Sequence, residues 1–424
     1  MSTVQMLNMT FDVWSALFNG VLLVGVFVLR KHNRLQARPL MFALLANMAV
    51  NVSEVLAYAF RGDVSQLGYW MVRISNFSVF LCNHLLVIFA AIFIMRTIEK
   101  GGKPISETFK RVLMVVIILG IVLLVLSRVF GFYYSFDDQN RYYRTSGYQV
   151  MLAIILVANM MLLVLTIKNR NRLSTIERIS FIMLETLPVI ATVAQLFTYG
   201  ISLTTFASTI SLTMMFLAYE IEVSRSVAEN DRKMLRDVIS ALAESVDAKD
   251  AYTRGHSGRV AMYSQMLAER MGLSRDEIIR IMRMATLHDV GKIAVPDAVL
   301  NKPGRLTDEE FDLIKSHTER GGDILGKVNS MPELSAGARW HHERYDGKGY
   351  PDGLAGEDIP FEARIICVAD CYDAMTSDRV YRDRLPQDVV REEIVNGMGT
   401  QFDPDVAQAM LHIIDEDKEY LLHE

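Results

Sequence analysis

Seven apolar runs fill the first 220 residues of this 424-residue chain, and they constrain its fold more than any other feature. Each run is close to the roughly 20 residues that an α-helix needs to cross the hydrocarbon core of a bilayer. The runs fall at residues 11–29, 39–60, 69–95, 112–133, 148–167, 180–199 and 203–219. The sequence therefore predicts a seven-helix transmembrane region over residues 1–219, with the short, Thr- and Ser-containing last run as its weakest member.

Basic residues concentrate in alternate loops between these runs. The loops at residues 30–38, 96–111 and 168–178 together hold thirteen Lys and Arg residues, whereas the loops between them hold only Arg61, Arg141 and Arg144. Because cytoplasmic loops carry an excess of Lys and Arg, this bias predicts an outside N-terminus and a cytoplasmic C-terminal half. Residues 1–10 show no cleavable signal peptide, so we expect the first span to act as its own insertion signal.

The charge of the two halves differs in sign. Residues 1–219 carry 18 basic and 9 acidic residues, and residues 220–424 carry 26 basic and 40 acidic residues. An acidic C-terminal half excludes a nucleic-acid polymer as partner, since that would need a basic surface. The three cysteines do not form a disulfide framework and indicate a reducing compartment. We interpret Cys367 and Cys371, four residues apart, as small core residues on one helix face.

Residues 220–246 read as a charged linker helix with an apolar stripe at Val227, Met234, Leu235, Val238, Leu242 and Val246. The spacing suits pairing with a second copy, which would make a homodimer, or packing on the next domain, and the sequence leaves both open. Beyond residue 247 the pattern is helical, with capping boxes at Ser274–Glu277 and Thr307–Glu310 and a helix start at Asp403–Pro404. Residues 247–424 are therefore predicted to form an all-α domain, and the whole chain is predicted to be all-α.

Five of the nine histidines lie between residues 256 and 342, each beside a carboxylate, a glycine or another histidine in the sequence: His256, His288, His317, His341 and His342. Asp289 follows His288 directly, and Asp370 follows later in "VADCYDAMT". Imidazoles and carboxylates form the ligand set of hydrolytic metal sites. A single histidine is usually a core or surface residue, but this combination favours a metal-dependent hydrolase.

The neighbours His288 and Asp289 point about 100° apart on a helix, so Asp289 can bridge two ions while His288 binds one of them. Two metals about 4 Å apart can clamp the oxygens of an in-line phosphoryl displacement. Lys292, one turn beyond His288, can place an ammonium beside a substrate phosphate. The predicted catalytic residues are therefore Asp289 and Lys292.

Five segments in order carry a family resemblance: "DAYTRGHSGRVA", "LHDVGKIAVPDAVLNKPGRLT", "HTERGGDIL", "HHERYDGKGYPDGLAGEDIP" and "ARIICVADCYDAMTSDRVYR". From about Leu242 to His412 the chain resembles the HD-GYP phosphodiesterases, a branch of the HD metal-dependent phosphohydrolases. The resemblance implies hydrolysis of the bacterial second messenger cyclic di-GMP at two divalent transition-metal ions, iron or manganese. With the predicted spans, it also implies a multi-pass protein of the bacterial inner membrane, in contact with lipid. The membrane region is then expected to respond to an unknown stimulus.

The resemblance also assigns residues. The implied metal ligands are His256, His288, Asp289, His317, His341, His342 and Asp370. The implied substrate contacts are Lys292, the loop Gly349, Tyr350 and Pro351, and the basic residues Arg379 and Arg382. "GGDIL" at Gly321–Leu325 also resembles the start of a diguanylate cyclase signature, but it belongs to the "HTERGGDIL" motif and has no second cyclase element.

One position departs from the family pattern. Some members carry an acidic residue four positions before the first histidine, where it supports a third metal, and this chain has Tyr252. The departure favours a two-metal site and linear pGpG as product over complete degradation to GMP. Another cyclic dinucleotide as substrate, or a catalytically silent nucleotide-binding receptor, stays open as an alternative.

Ionisable residues also occur inside the predicted spans: Glu54, His84 and Glu185, with Asn51 and Asn83 nearby. Such groups usually face the interior of a helix bundle and often mark function. They fit a ligand-sensing cavity, and they fit interhelical hydrogen bonding equally well.

Overall fold

The computed structural model describes residues 3–100, 102–197, 203–250, 255–378 and 383–422, with the side chains of residues 195–197 excepted. Three positions singled out in the sequence, Tyr252, Arg379 and Arg382, lie outside the described residues. The chain divides into two compact units, Met1–Glu229 and Asn230–Glu424. Each unit is described separately below.

The first unit consists of long helices at the predicted spans. They are α1 (Thr3–Leu29), α2 (Arg34–Ala59), α3 (Gln66–Glu99), α4 (Glu107–Phe130), α5 (Tyr148–Lys168), α6 (Thr175–Phe197) and the start of α7 (Thr204–Asp247). Among the described residues, six of these helices are long and apolar enough to cross a membrane, and α6 is the one that falls short. Within the described residues, each of the seven predicted spans is thus confirmed as helical.

A short antiparallel hairpin interrupts the helical pattern between α4 and α5. Its strands are β1 (Tyr134–Phe136) and β2 (Tyr142–Arg144), with Tyr134 opposite Arg144. Gly131 in the left-handed region ends α4 before the hairpin. The all-α prediction is confirmed for the rest of the architecture, since this is the one sheet among the described residues.

Helix α7 continues without a break from the seventh predicted span through the predicted linker. Neither segment contains Gly or Pro, so nothing in the local sequence ends the helix at residue 220. Ile239, Ala243 and Val246 are buried, whereas Met234, Val238 and Leu242 are exposed. The division at residues 219/220 and 246/247 stays a prediction.

The second unit is a helical domain around a buried apolar core. Its further helices are α8 (His256–Arg270), α9 (Arg275–Leu287), α10 (Asp297–Leu300), α11 (Asp308–Leu325), α12 (Leu334–Trp340), α13 (Phe361–Thr376), α14 (Gln387–Gly397) and α15 (Pro404–Glu416), with a 3-10 helix at Val290–Ala294. The capping boxes predicted at Ser274 and Thr307 are present. Asp403 caps α15 as predicted.

Helix α13 runs through the core, where Ile365, Ile366, Val368 and Ala369 are fully buried. Cys367 on the same helix is a buried free thiol, and Cys371 is a partly buried one. Close packing of the 3-10 helix on α11 requires glycine. A Cβ at Gly291 would overlap the carbonyl oxygen of His317 and would crowd the amide of Gly321. The first glycine of "GGDIL" therefore belongs to a helix-packing contact.

Candidate metal centre

The structure brings all seven predicted metal ligands together from five different elements. His256 is the first residue of α8, His288 is the C-cap of α9, and His341 is the C-cap of α12. His317 lies within α11 and Asp370 within α13. Asp289 and His342 directly follow the C-caps of α9 and α12.

The ligand atoms form two groups of three that share no residue, and a third group of His288, Asp289 and His341 overlaps both. Those of His256, His288 and Asp370 all lie within 4.8 Å of one another, and so do those of His317, His341 and His342. Each group offers enough nitrogen and oxygen donors for one transition-metal ion.

Asp289 lies between the two groups and turns one oxygen to each. Its Oδ2 is 3.6 Å from His256 Nε2 and 3.4 Å from His288 Nε2. Its Oδ1 is 3.4 Å from His317 Nε2 and 3.9 Å from His341 Nε2. A carboxylate in this position could contact an ion held by either group.

Three of the histidines are held in one tautomer by their own helices. His288 Nδ1 donates to the carbonyl of Ala285 (2.7 Å), and His317 Nδ1 donates to the carbonyl of Ile314 (2.6 Å). His341 Nδ1 donates to the carbonyls of Gly337 and Ala338 (3.0 Å each). A carbonyl oxygen only accepts, so each Nδ1 carries the proton. The lone pair is therefore on Nε2, which faces the ligand group.

His256 is oriented differently, by a carboxylate that the sequence reasoning missed. Its Nδ1 lies 2.7 Å from Oδ2 of Asp373, which is buried and accepts two further bonds from Arg259. Asp373 follows Asp370 by three residues, and Arg259 follows His256 by three. Asp373 and Arg259 thus each lie one helical turn from a predicted ligand. This spacing is the sequence signal that could have identified them.

The electrostatics of the site favour cations. Burial alone would raise the pKa of the Asp289 carboxyl, but the Lys292 ammonium and the neighbouring imidazoles hold it well below its usual range. The pKa of Asp370 is lowered in the same way, chiefly by His256. Burial and the adjacent His317 lower the pKa of His342 to about 3. Anionic carboxylates and a neutral imidazole at neutral pH are the forms that bind divalent metals.

Lys292 lies at the edge of this cluster. Its Nζ is 2.7 Å from Asp289 Oδ2 and 3.1 Å from Asp250 Oδ2, and these carboxylates raise its pKa although burial opposes the charge. The ammonium is therefore fixed next to the Asp289 carboxylate. Asp250 was not predicted, because only its distance from Lys292 reveals it.

The loop Gly349–Pro351 packs directly on the histidine pair. The Tyr350 ring centroid is 4.9 Å from that of His342, and the Tyr350 amide donates to the His342 carbonyl. Gly349 has no room for a Cβ, which would overlap the backbone of Glu343. The buried Glu343 carboxylate accepts the amides of the three residues after Pro351. Glu343 thus ties the loop to the metal centre, a role that its place after His342 did not suggest.

Residues 236–406 match the family model described as HD domain. The chain is 43% identical over 178 residues to the cyclic di-GMP phosphodiesterase response regulator RpfG of Xanthomonas campestris, covering 42% of this chain and 47% of that protein. It is 42% identical over 182 residues to a cyclic di-GMP phosphodiesterase of Thermotoga maritima, covering 42% and 49% of the two chains.

A third relative carries a different substrate in its name. The 3'3'-cGAMP-specific phosphodiesterase 2 of Vibrio cholerae is 38% identical over 187 residues, which are 44% of this chain and 36% of that protein. The chain thus spans about half, or less, of the length of these curated relatives. The matched region includes every residue of the two groups, and it holds the motifs that resemble those of the HD-GYP branch. Residues 236–406 of this chain are therefore similar to an HD domain.

Proposed function

We propose that this protein is a membrane-bound, metal-dependent phosphodiesterase that hydrolyses cyclic di-GMP to linear pGpG. The observation that carries the proposal is the position of Asp289, whose two oxygens face two separate ligand groups beside the Lys292 ammonium. Two ligand groups joined by a carboxylate suit phosphodiester hydrolysis. The relatives named cyclic di-GMP phosphodiesterases support this substrate.

The proposed ligands are the seven that the sequence suggested, and the ions are iron or manganese. When bound, such ions lower the pKa of water and polarise phosphoryl oxygens. Imidazole-rich sites suit first-row transition metals, and the fixed Nε2 lone pairs and the paired oxygens of Asp289 fit two of them.

The chain's own residues bind and orient the substrate. Lys292 holds its ammonium at the bridging carboxylate, where it can neutralise a phosphate. Asp373 and Arg259 keep His256 in position. The loop residues Gly349, Tyr350 and Pro351 form the side of the site next to His342. We assign phosphate contacts to Arg379 and Arg382, which lie outside the described residues.

Two alternatives belong to the same site. The relative named for 3'3'-cGAMP supports another cyclic dinucleotide as substrate. A silent nucleotide-binding receptor would be expected to lose ligands or the lysine, and this chain keeps all of them. The first alternative is therefore the stronger one.

We further propose that residues 1–219 span the bacterial inner membrane, with the N-terminus outside and the HD domain in the cytoplasm. The apolar helices and the thirteen-to-three bias of basic residues between alternate loops support this topology. Lipid then surrounds the first unit. The stimulus that this region senses is unassigned.

Homodimerisation through residues 220–246 is supported by the outer face of α7. Met234, Val238 and Leu242 are 64%, 50% and 51% exposed and lie four residues apart, which places them on one helix face. A cysteine at Val238 should form a disulfide-linked dimer in membranes, whereas one at exposed Glu244 should not.

The decisive test uses the purified full-length protein in detergent. We expect cyclic di-GMP to be cleaved to pGpG, about two transition-metal ions per chain by elemental analysis, and loss of turnover after chelation. 3'3'-cGAMP and cyclic di-AMP serve as competing substrates. Faster cleavage of 3'3'-cGAMP would assign the alternative substrate, and a metal-free, chelator-resistant activity would refute the site.

A further inference from the structure

The chain segment at the end of α7 contacts the candidate metal centre through Asp247, Lys249 and Asp250. Both carboxylates are buried, and the Lys249 side chain is 22% exposed. Their contacts reach two elements of the site, the start of α8 and the 3-10 helix Val290–Ala294 that carries Lys292. The segment therefore lies between a predicted metal ligand and the predicted catalytic lysine.

The ammonium of Lys249 holds the end of the 3-10 helix. Its Nζ donates to the carbonyls of Lys292 (3.1 Å), Ile293 (2.8 Å) and Val295 (2.5 Å). An ammonium has three donors and no acceptor, so its three hydrogens match these three carbonyls. The last carbonyls of a helix lack partners within the helix, and here a side chain supplies the donors. Nζ also lies 3.4 Å from the exposed carboxylate of Asp297.

Asp250, the next residue, holds the side chain of Lys292. Its Oδ2 accepts from Lys292 Nζ (3.1 Å), while the backbone carbonyl of Lys292 accepts from Lys249. Two successive residues thus fix both the backbone and the ammonium of one lysine. The backbone of Lys249 is fixed in turn, since its carbonyl accepts from Nδ2 of Asn301 (2.9 Å).

Asp247 connects this segment to the first predicted metal ligand. Its carboxylate accepts from the hydroxyl (2.7 Å) and from the amide (3.2 Å) of Ser257. Ser257 follows His256 in the first turn of α8. The segment that holds Lys292 is therefore joined to the helix that begins at His256.

We propose that Lys249 and Asp250 are positioning residues that set the Lys292 ammonium relative to the metal ligands. The inference rests on the phosphodiesterase activity proposed above, in which Lys292 faces a substrate phosphate. A lysine ammonium is a point charge on a flexible four-carbon stem, so its place in the site must be fixed by its partners. Misplacing a catalytic group by about 1 Å costs up to about 100-fold in rate.

The first test measures amide hydrogen exchange of the full-length protein in detergent, by mass spectrometry of its peptides. Lys249→Met keeps the length of the side chain and removes its three donors. We expect residues 290–295 to exchange at least about tenfold faster, because hydrogen bonds from charged groups are among the stronger ones and local opening sets the exchange rate.

Lys302→Met is the matched control for that variant. Lys302 is another partly buried lysine, 32% exposed, but its Nζ contacts the carboxylate of Glu310. Its replacement should leave the exchange of residues 290–295 and the turnover unchanged. Unchanged exchange of residues 290–295 in Lys249→Met would overturn the proposal, as would faster exchange throughout the domain, which would indicate a general role in folding.

The second test is a double-mutant cycle on the turnover of cyclic di-GMP. Lys249→Met and Asp250→Asn should each lower kcat about 10- to 100-fold and keep the metal content of the wild type. In a Lys292→Ala background neither should lower kcat further, because both act through Lys292. Further losses in that background, or loss of metal, would overturn the proposal. A wild type without turnover would contradict the proposed function instead, and hydrogen exchange would still decide whether Lys249 holds the helix of Lys292.

Discussion

Asp289 is the residue on which we expect the metal centre to depend most, because each of its two oxygens faces a different group of candidate ligands. Asp289→Asn keeps its size and removes its charge. We expect fewer than two metal ions per chain. Loss of a residue that only supports a metal ligand costs about 10- to 100-fold in turnover, and we expect a larger loss here. Elemental analysis and product chromatography measure both.

The control for that substitution is Asp415→Asn. Asp415 forms an exposed ion pair with Arg391, and such pairs contribute little to stability. It should leave metal content and turnover unchanged. Near-normal turnover in Asp289→Asn, with circular dichroism like that of the wild type, would contradict the bridging role.

Lys292 tests whether positive charge beside the bridge acts on the substrate. Lys292→Ala should retain the metal ions and lose about 100- to 1,000-fold in kcat, the usual effect of removing one preorganised electrostatic group. If the variant instead lost its metals, Lys292 would serve only to hold Asp289 and Asp250 in place.

Asp373 acts through His256 and is therefore a positioning residue. Asp373→Asn should lower metal affinity or turnover about 10- to 100-fold. Titrating metal into the stripped protein separates the two cases, because a misplaced His256 is compensated by excess metal. A variant with wild-type affinity and turnover would show that the Nδ1 contact is dispensable.

At the scale of the elements, glycine contacts set the distance between the two ligand groups. Gly291 lies between Asp289 and Lys292 in the chain and packs against the backbone of α11 at His317. Gly291→Ala forces this contact apart, so we expect an unfolding midpoint several degrees lower and reduced metal content, since overpacking costs about 1–3 kcal/mol or more.

Gly258→Ala on α8 is its matched control. A Cβ at Gly258 meets nothing within 4 Å, and alanine in a helix is favoured over glycine by about 0.5–1 kcal/mol. This variant should be as stable as the wild type or slightly more stable. A Gly291→Ala protein with unchanged stability would show that α11 can shift without cost.

At the scale of the whole molecule, we expect the product distribution to depend on Tyr252. A phenol with an ordinary pKa of about 10 is a weaker anionic ligand at neutral pH than a carboxylate. The wild type should therefore accumulate pGpG, and Tyr252→Glu should bind more metal and convert pGpG to GMP faster. Complete conversion to GMP by the wild type, with three metals bound, would contradict this prediction.

Helix positions could be predicted from sequence because they depend on local patterns, whereas the seven candidate ligands came from motifs that resemble a known family and stay a prediction. Span lengths follow from apolar runs, and His288 with Asp289 is legible as a pair of neighbours. The contacts of Glu343, Asp250 and Asp373 could not be predicted from the sequence, because only the fold brings their partners close. The continuity of α7 was missed because composition changes at residue 220 while helix propensity does not.

Three ligand histidines are anchored to carbonyls of their own helices, at Ala285, Ile314 and Gly337. The orientation of each imidazole is thus set by the backbone of its own helix and does not depend on neighbouring side chains. We therefore expect substitutions of neighbouring side chains to leave the orientation of these imidazoles unchanged. A displacement of α9, α11 or α12 would therefore move the imidazole that the helix carries and change the spacing of the candidate ligands.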